Sequence, residues 1–581
     1  MGKRSTRIAP HDGDGSREDQ RGTPSSLARS ISPPSRSKKR RLLPPPSSQT
    51  ADPPPDDEET SSEAEQEEDK PSKEQGKPTP QQIFKSPFQL TKIRDLPAES
   101  NIDAVTLKDI LGDPLIAECW EFNYLHNIDF LMGHFDSDVR HLVKVHLVHG
   151  FWKREDANRL ALQEQASRYS NVVVHAAFMP EMFGTHHSKM MILLRHDDTA
   201  QIIIHTANMI IRDWTNMTQA VWRSPLLPRL SSAANTKSGD DFKIGSGEKF
   251  KVDFLNYLYS YDTRRVTCGP IAEELRKYDF SAIRGSLIAS VPGRHDIRDG
   301  DMPTRWGWAA VKQALKAVPI HTDQKPEIAI QISSIATLGP TDTWLKNTLF
   351  STFSGGLRRP PSGGPSSSLA LAPNPDFKVI FPTPDEIRVS LDGYQSGGSI
   401  HTKIQSPQQK KQLQYLKPMF CHWANDTSGG AKLPNYGGVD KEAGRKHAAP
   451  HIKTYIRYYG NNDKKLIDWA LLTSANLSKQ AWGEAPSSTS SGEIVRISSY
   501  EIGVLMWPEL LAGEETSAVM CPTFMKDTPE PTPDGQSSPI VGLRMPYNLP
   551  LQRYGKDEVP WVATADYDEP DWMGQMWTSW D

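Results

Sequence analysis

The chain reads as an α/β protein made of two similar domains behind a disordered tail. Two observations predict this. Runs of strand character alternate with helical runs, the pattern of a layered α/β fold. One compact unit also occurs twice. Its first copy is His187-Ser-Lys189 leading into Met190-Met-Ile-Leu-Leu194, followed by Ile202-Ile-Ile-His-Thr-Ala-Asn208. Its second is His451-Ile-Lys453 leading into Thr454-Tyr-Ile-Arg457, followed by Ala470-Leu-Leu-Thr-Ser-Ala-Asn476. His and Asn lie 21 residues apart in one copy and 25 in the other. One copy would be weak; two copies predict a site assembled from two halves.

Composition bounds the rest. A 581-residue chain is long enough for two domains. Only 36% of it is hydrophobic and mean hydropathy is −0.57, so part of the chain is expected to stay unfolded. Cys119, Cys268, Cys421 and Cys521 are scattered with no CxxC pair, which argues against a disulfide framework or a zinc cage. No apolar run approaches the roughly 20 residues that span a bilayer, and no secretory core follows the basic N-terminus. A soluble intracellular protein without membrane attachment is expected. The net charge of −4 means that any phosphate-binding surface must be a local groove.

Residues 1–82 form the tail. They are rich in Ser, Pro and charge and cannot bury enough apolar surface to offset the entropy of ordering. Within them Ser35-Arg-Ser-Lys-Lys-Arg-Arg41 reads as a nuclear-import cluster, and Asp56 to Asp69 is an acidic tract. A first domain is expected over 83–285. Helical spacing runs from Leu107 through Leu131, strands are expected at 143–149 and 171–177, and an amphipathic helix between them at 155–167. A second domain, 286–581, starts the pattern again. Its strands are expected at 286–291, 328–334, 377–381 and 501–506, with a helix at 308–318. Gly/Pro/Ser-rich insertions at about 226–246, 354–375, 426–449 and 484–493 are expected at the surface or mobile.

Two histidines and two lysines, each pair on an apolar run, suit attack on a phosphodiester. Lys189 and Lys453 can hold the non-bridging oxygens, and Asn208 and Asn476 can add neutral donors. One imidazole can act as nucleophile and the other as general acid. His401-Thr-Lys403 repeats the tripeptide but lacks an apolar run and a downstream Asn, so it reads as a surface-loop decoy. No metal is expected, because the lysines already neutralise the phosphate and no carboxylate cluster suits Mg²⁺. No cofactor is expected either.

The duplicated His-x-Lys…Asn pattern resembles the phospholipase D superfamily. That superfamily usually carries Asp beyond Lys, where this chain has Leu194 and Tyr458. The departure matches one group, the tyrosyl-DNA phosphodiesterase I subfamily. The longer strings agree with it: Phe183-Gly-Thr-His-His-Ser-Lys189, His205-Thr-Ala-Asn208 with Asp213-Trp214, Pro450-His-Ile-Lys-Thr-Tyr455, Thr473-Ser-Ala-Asn-Leu-Ser-Lys479 and Ser499-Tyr-Glu-Ile-Gly503.

The resemblance implies a fold and a set of roles. The fold would be two α-β-α domains related by a pseudo-twofold axis, with the site between them. His187 would attack the 3′-phosphorus to give a phosphohistidine, and His451 would be the general acid and then the base. Glu501 would orient His187 and Gln219 would orient His451. Ser333, Ser334, Ser478 and Lys479 would contact the DNA backbone, Phe183 would stack a base, and Tyr124 and Trp561 would line the peptide side. The implied enzyme is a monomeric nuclear DNA-repair phosphodiesterase that clears 3′ ends, single-stranded or in nicked or blunt duplex, of topoisomerase I-derived peptide and other adducts. Rival readings are another superfamily nuclease or lipid phosphodiesterase, and an inactive DNA-end binder. The four intact His and Lys residues weigh against the binder. Packing alone could also account for the Trp-rich C-terminus, and capping for the serines.

Overall fold

The computed structural model describes residues 81–579 except 232–241, 299–301, 360–372, 425–440, 462–464, 490–491, 514–516 and 532–537. The tail with its basic and acidic clusters, and parts of the four insertions, lie outside the described residues.

The apolar runs become strands of two mixed sheets. In the first sheet the hydrogen-bonded order is Phe88–Leu90, Ala220–Arg223, Thr199–His205, Met190–Arg195, Ile116–Phe122, Lys144–His149, Val172–Ala176. The second contains Ser286–Ser290, Glu501–Met506, Leu466–Thr473, Thr454–Tyr459, Glu327–Gln331, Asp376–Ile380 and Phe420–Cys421 in the same relation. Orientations match as well. The first four pairings are antiparallel and the last two parallel in both sheets. The repeat seen in one short unit of sequence is therefore a repeat of seven strands.

Three expectations change. The stretch from Leu107 to Leu131 is two five-residue helices, Leu107–Leu111 and Ile128–Met132, separated by the strand Ile116–Phe122. A short apolar run does not distinguish helix from strand by period alone, and pairing on both edges decides for strand. Ile83–Phe84 does not open the first sheet; it pairs in parallel with Ile540–Arg544 of the second. All four insertions contribute structure, Leu227–Pro228 pairing with Thr199–His205 and Leu357–Arg358 with Pro319–Ile320. Ser487–Thr489 pairs with Gly492–Ile497, and Ala443, Arg445, Ala448 and Ala449 are buried, with Arg445 Nη1 donating to Thr91 O at 3.0 Å.

One continuous apolar core includes Trp120, Met190, Ile202 and Ile204 of the first sheet and Ile330, Tyr455, Leu471 and Val504 of the second. A smaller core covers the other face of the first sheet, where Leu107, Ile110, Leu131 and Leu162 from its helices meet Leu147, Met191 and Ile203.

Main-chain straps tie each histidine segment to the other sheet. His187 N–H donates to Tyr500 O and His451 N–H to Thr218 O, both at 3.0 Å. Tyr500 and Thr218 immediately precede Glu501 and Gln219, the first residue of one matching strand and the residue just ahead of the other. Gly184 permits the first strap, since a Cβ there would fall 1.8 Å from Ser498 O. Replacing Gly184 with Ala is expected to lower stability by about 1–3 kcal/mol through overpacking, read by urea unfolding; an unchanged midpoint would mean that the loop has room.

Candidate active site

The matching strands place matching residues. His187 and His451 each stand three residues before the start of their strands, Met190–Arg195 and Thr454–Tyr459, and Asn208 and Asn476 three residues after the ends of the next, Thr199–His205 and Leu466–Thr473. All four groups thus emerge at equivalent ends of facing sheets.

His187 Nδ1 lies 2.9 Å from Glu501 Oε2. A carboxylate only accepts, so Nδ1 carries the proton and Nε2 keeps its lone pair. Ser474 Oγ donates to the same oxygen at 2.6 Å and accepts from Ile502 N–H at 3.0 Å. The first half repeats this relay with one change. Ala220 N–H donates to Thr206 Oγ1 at 3.1 Å, and that hydroxyl donates to Gln219 Oε1 at 2.7 Å. The Gln219 amide nitrogen therefore faces His451 Nδ1, at 3.0 Å. In the neutral ring Nδ1 accepts and Nε2 holds the hydrogen. The two histidines rest in opposite tautomers.

Lys189 and Lys453 are wholly buried. Lys189 Nζ donates to His187 O at 3.3 Å. Lys453 Nζ bonds His451 O and lies 3.3 Å and 3.2 Å from its two ring nitrogens. Burial pulls Lys189 down from 10.5 to about 8, with Glu501, Asp213 and Glu121 acting against it. Burial and then the Lys189 charge pull Lys453 well below its ordinary value. Burial also lowers His187, with Glu501 pulling the other way, and lowers His451 well below 6.5, reinforced by Lys453 and Lys189. The pair of buried cations makes the cleft ready for an anion.

The asparagines differ. Asn476 Oδ1 accepts from Ser333 N–H at 3.0 Å and Ser334 N–H at 2.9 Å, which leaves its amide nitrogen for an incoming oxygen. Asn208 turns its amide to Asp213 instead: its N–H and Nδ2 both donate to Asp213 Oδ2, at 2.7 Å and 3.0 Å.

Other expected contacts divide. Phe183 is 76% exposed beside the equally exposed Met182. The half-buried Tyr124 ring lies 6.0 Å from that of His187. Lys479 Nζ is held 5.8 Å over the Trp344 ring. Ser478 Oγ is spent as helix cap, accepting from Ala481 N–H at 3.0 Å, and Ser333 is nearly inaccessible, so both support the site from behind. Trp561 does not line a groove. It is 0% exposed, stacked on Tyr394 and Tyr567, and donates to Ile400 O at 3.0 Å. His401 is no remote decoy. Its ring is exposed, but its main chain bridges Ser334, accepting from Ile335 N–H and donating to Ser333 O at 2.9 Å each. His186, next to His187, is structural, bonded to Asn123 O and the Tyr261 hydroxyl.

Sequence reasoning gave no role to Thr206, Ser474 or Asp213. The hydroxyls had a signal, Thr-Ala-Asn in one copy against Ser-Ala-Asn in the other. Among the described residues no group of three or more His, Cys, Asp or Glu is placed to hold a metal.

Residues 87–555 match the family model described as tyrosyl-DNA phosphodiesterase. A probable tyrosyl-DNA phosphodiesterase of Schizosaccharomyces pombe is 32% identical, over 85% of this chain and 96% of that protein. The chain belongs to the tyrosyl-DNA phosphodiesterase family. It is accordingly a phosphodiester hydrolase, with the DNA-repair function of that family. Tyrosyl-DNA phosphodiesterase 1 of Arabidopsis thaliana is 29% identical, over 86% of this chain and 77% of its own length. The crystal structure of yeast tyrosyl-DNA phosphodiesterase shares the fold, at 19% identity and a TM-score of 0.54, covering 82% of this chain and 98% of that one.

The buried lysine gives a prediction with a definite sign. Below pH 8 both folded and unfolded Lys189 are protonated, and burying the ammonium costs stability. Between about 8 and 10.5 only the unfolded chain keeps the proton, so the cost fades as pH rises. Lys189→Met should therefore be more stable than the parent by about 3 kcal/mol near neutral pH, and the gain should vanish near pH 10.5. Urea unfolding at both pH values checks it; a less stable variant near neutrality would refute it.

Proposed function

We propose that this enzyme hydrolyses 3′-phosphotyrosyl DNA, the link left by topoisomerase I, and other 3′-end adducts through a phosphohistidine. The observation that carries the reading is the pair of opposite tautomers across two buried lysines. A lone pair at His187 Nε2 faces the half whose histidine can hold a proton at Nε2.

His187 Nε2 attacks the 3′-phosphorus, forming a P–N bond as the P–O bond to tyrosine breaks. The electron pair leaves on the phenolate oxygen, which takes the Nε2 proton of His451, a ring protonated on both nitrogens once the phosphodiester is bound. Glu501 stabilises the His187 ring as it becomes cationic. Lys189, Lys453 and the Asn476 amide hold the non-bridging oxygens as charge builds on them. His451, now neutral at Nε2, removes a proton from water. The oxygen attacks phosphorus, the P–N bond breaks, and a 3′-phosphate end departs. No step calls on a metal.

The DNA strand lies on the side of the exposed Phe183, where an aromatic face suits a base of single-stranded or frayed DNA. The Ser35–Arg41 cluster supports nuclear import, and the enzyme acts as a monomer, each site being completed within one chain.

With a 3′-phosphotyrosyl oligonucleotide in excess chelator, His187→Ala should lose turnover and form no adduct. His451→Asn should accumulate DNA bound covalently to His187, visible on denaturing gels. Free substrate alone at long times with His451→Asn would reject the assignment of roles.

A further inference from the structure

Asp213 breaks the symmetry of the site. The two halves continue past their asparagines as Asn208-Met-Ile-Ile-Arg-Asp213-Trp214 and Asn476-Leu-Ser-Lys-Gln-Ala481-Trp482. Each segment enters a short helix three residues after Asn, Ile211–Thr215 in one and Lys479–Trp482 in the other. Asp213 thus stands where the other half has Ala481. It is wholly buried, and its Oδ2 lies 3.2 Å from His451 Nδ1. Its Oδ1 accepts from Ser399 Oγ at 3.3 Å. His187 takes its carboxylate, Glu501, from the start of a strand. The matching place facing His451 holds the neutral Gln219, and the carboxylate comes from Asp213 instead.

We infer that Asp213 is the positioning residue that lets His451 carry its proton once substrate binds. This rests on the proposed role of His451 as general acid. A neutral imidazole is a poor acid, so His451 must be an imidazolium when the phenolate leaves. The groups facing it are Lys453 on its own segment, Lys189 and His187 from the first half, His401, Gln219 and Asp213. Four of these can be cationic, and Gln219 presents an amide N–H to Nδ1. Only Asp213 can accept an Nδ1–H.

Two lysines balance Asp213 and Glu501, so with both rings neutral these groups carry no net charge. A bound phosphodiester adds one negative charge, and a proton on His451 restores the balance. Gln219 holds the resting ring by donating to Nδ1. Asp213 holds the working ring by accepting Nδ1–H, both as the Nε2 proton passes to the phenolate and as Nε2 later takes one from water. Asp213 itself never takes the proton.

The test separates the need for an acid from the need for a fold. Oligonucleotides ending in 3′-phosphotyrosine and in 3′-(4-nitrophenyl phosphate) present the same phosphorus, but nitrophenolate is a much weaker base and leaves without a proton. Asp213→Asn, which keeps the size and an acceptor for Asn208, should lose about 10²-fold in single-turnover rate on the tyrosyl substrate and less than about tenfold on the nitrophenyl one. Equal losses on both, or no loss on either, would overturn the inference. Ser399→Ala, removing the hydroxyl from Oδ1, should show the same discrimination in weaker form, and it decides the matter if Asp213→Asn does not fold. His451→Asn on the same pair distinguishes the two readings. If it loses equally on both substrates the acid role fails; if it discriminates and the Asp213 variant does not, only the inference fails.

Discussion

The arrangement depends on two main-chain hydrogen bonds of equal length that cross between the sheets. His187 N–H reaches Tyr500 O, and His451 N–H reaches Thr218 O. Each fixes a histidine beside the residue that precedes its orienting partner, so ring and partner meet without a long flexible side chain spanning the gap. The hydroxyls of Ser474 and Thr206 then lock those partners from behind. Because every bond of this kind joins residues hundreds of positions apart, the site exists only once both sheets have formed and packed. Neither half holds a finished catalytic group.

That rigidity makes a costly charge distribution tolerable. Lys189, Lys453, Asp213 and Glu501 are all nearly or wholly buried, and burial alone pushes Lys189, Lys453 and Asp213 toward their neutral forms. They persist because opposite charges alternate around the two rings. The balance suits a phosphodiester, whose arrival supplies the charge the cations lack. Donors already fixed in place need not reorganise as charge develops on phosphorus. Stability is spent at the centre of the molecule and recovered from the shared apolar core around it.

Much of this was legible in sequence because the unit occurs twice. The strands at 190–195, 199–205, 454–459 and 466–473 follow from apolar runs, and the lysines and asparagines follow from their fixed offsets. Gln219 and Glu501 were legible only through resemblance, since no local pattern links them to histidines more than two hundred residues away. The Ile116–Phe122 strand was lost because seven apolar and polar residues between two short helices have no period of their own. Trp561 misled because a tryptophan near a chain end looks alike in sequence whether it stacks in a core or lines a cleft. Asp213 was quoted for likeness and given no role. Only folding brings it under a histidine of the other half, and only comparison with Ala481 shows that it has no twin.

The central claim is that the halves are unequal, with Glu501 serving attack through His187 while His451 and its partners serve protonation. Single-turnover quench-flow of Glu501→Gln on a 3′-phosphotyrosyl oligonucleotide tests it most directly, because attack and release are read as separate rates. Formation of the His187 adduct should slow by about 10- to 100-fold while its hydrolysis stays near the parent rate. Equal slowing of both steps, or slower hydrolysis alone, would contradict the account.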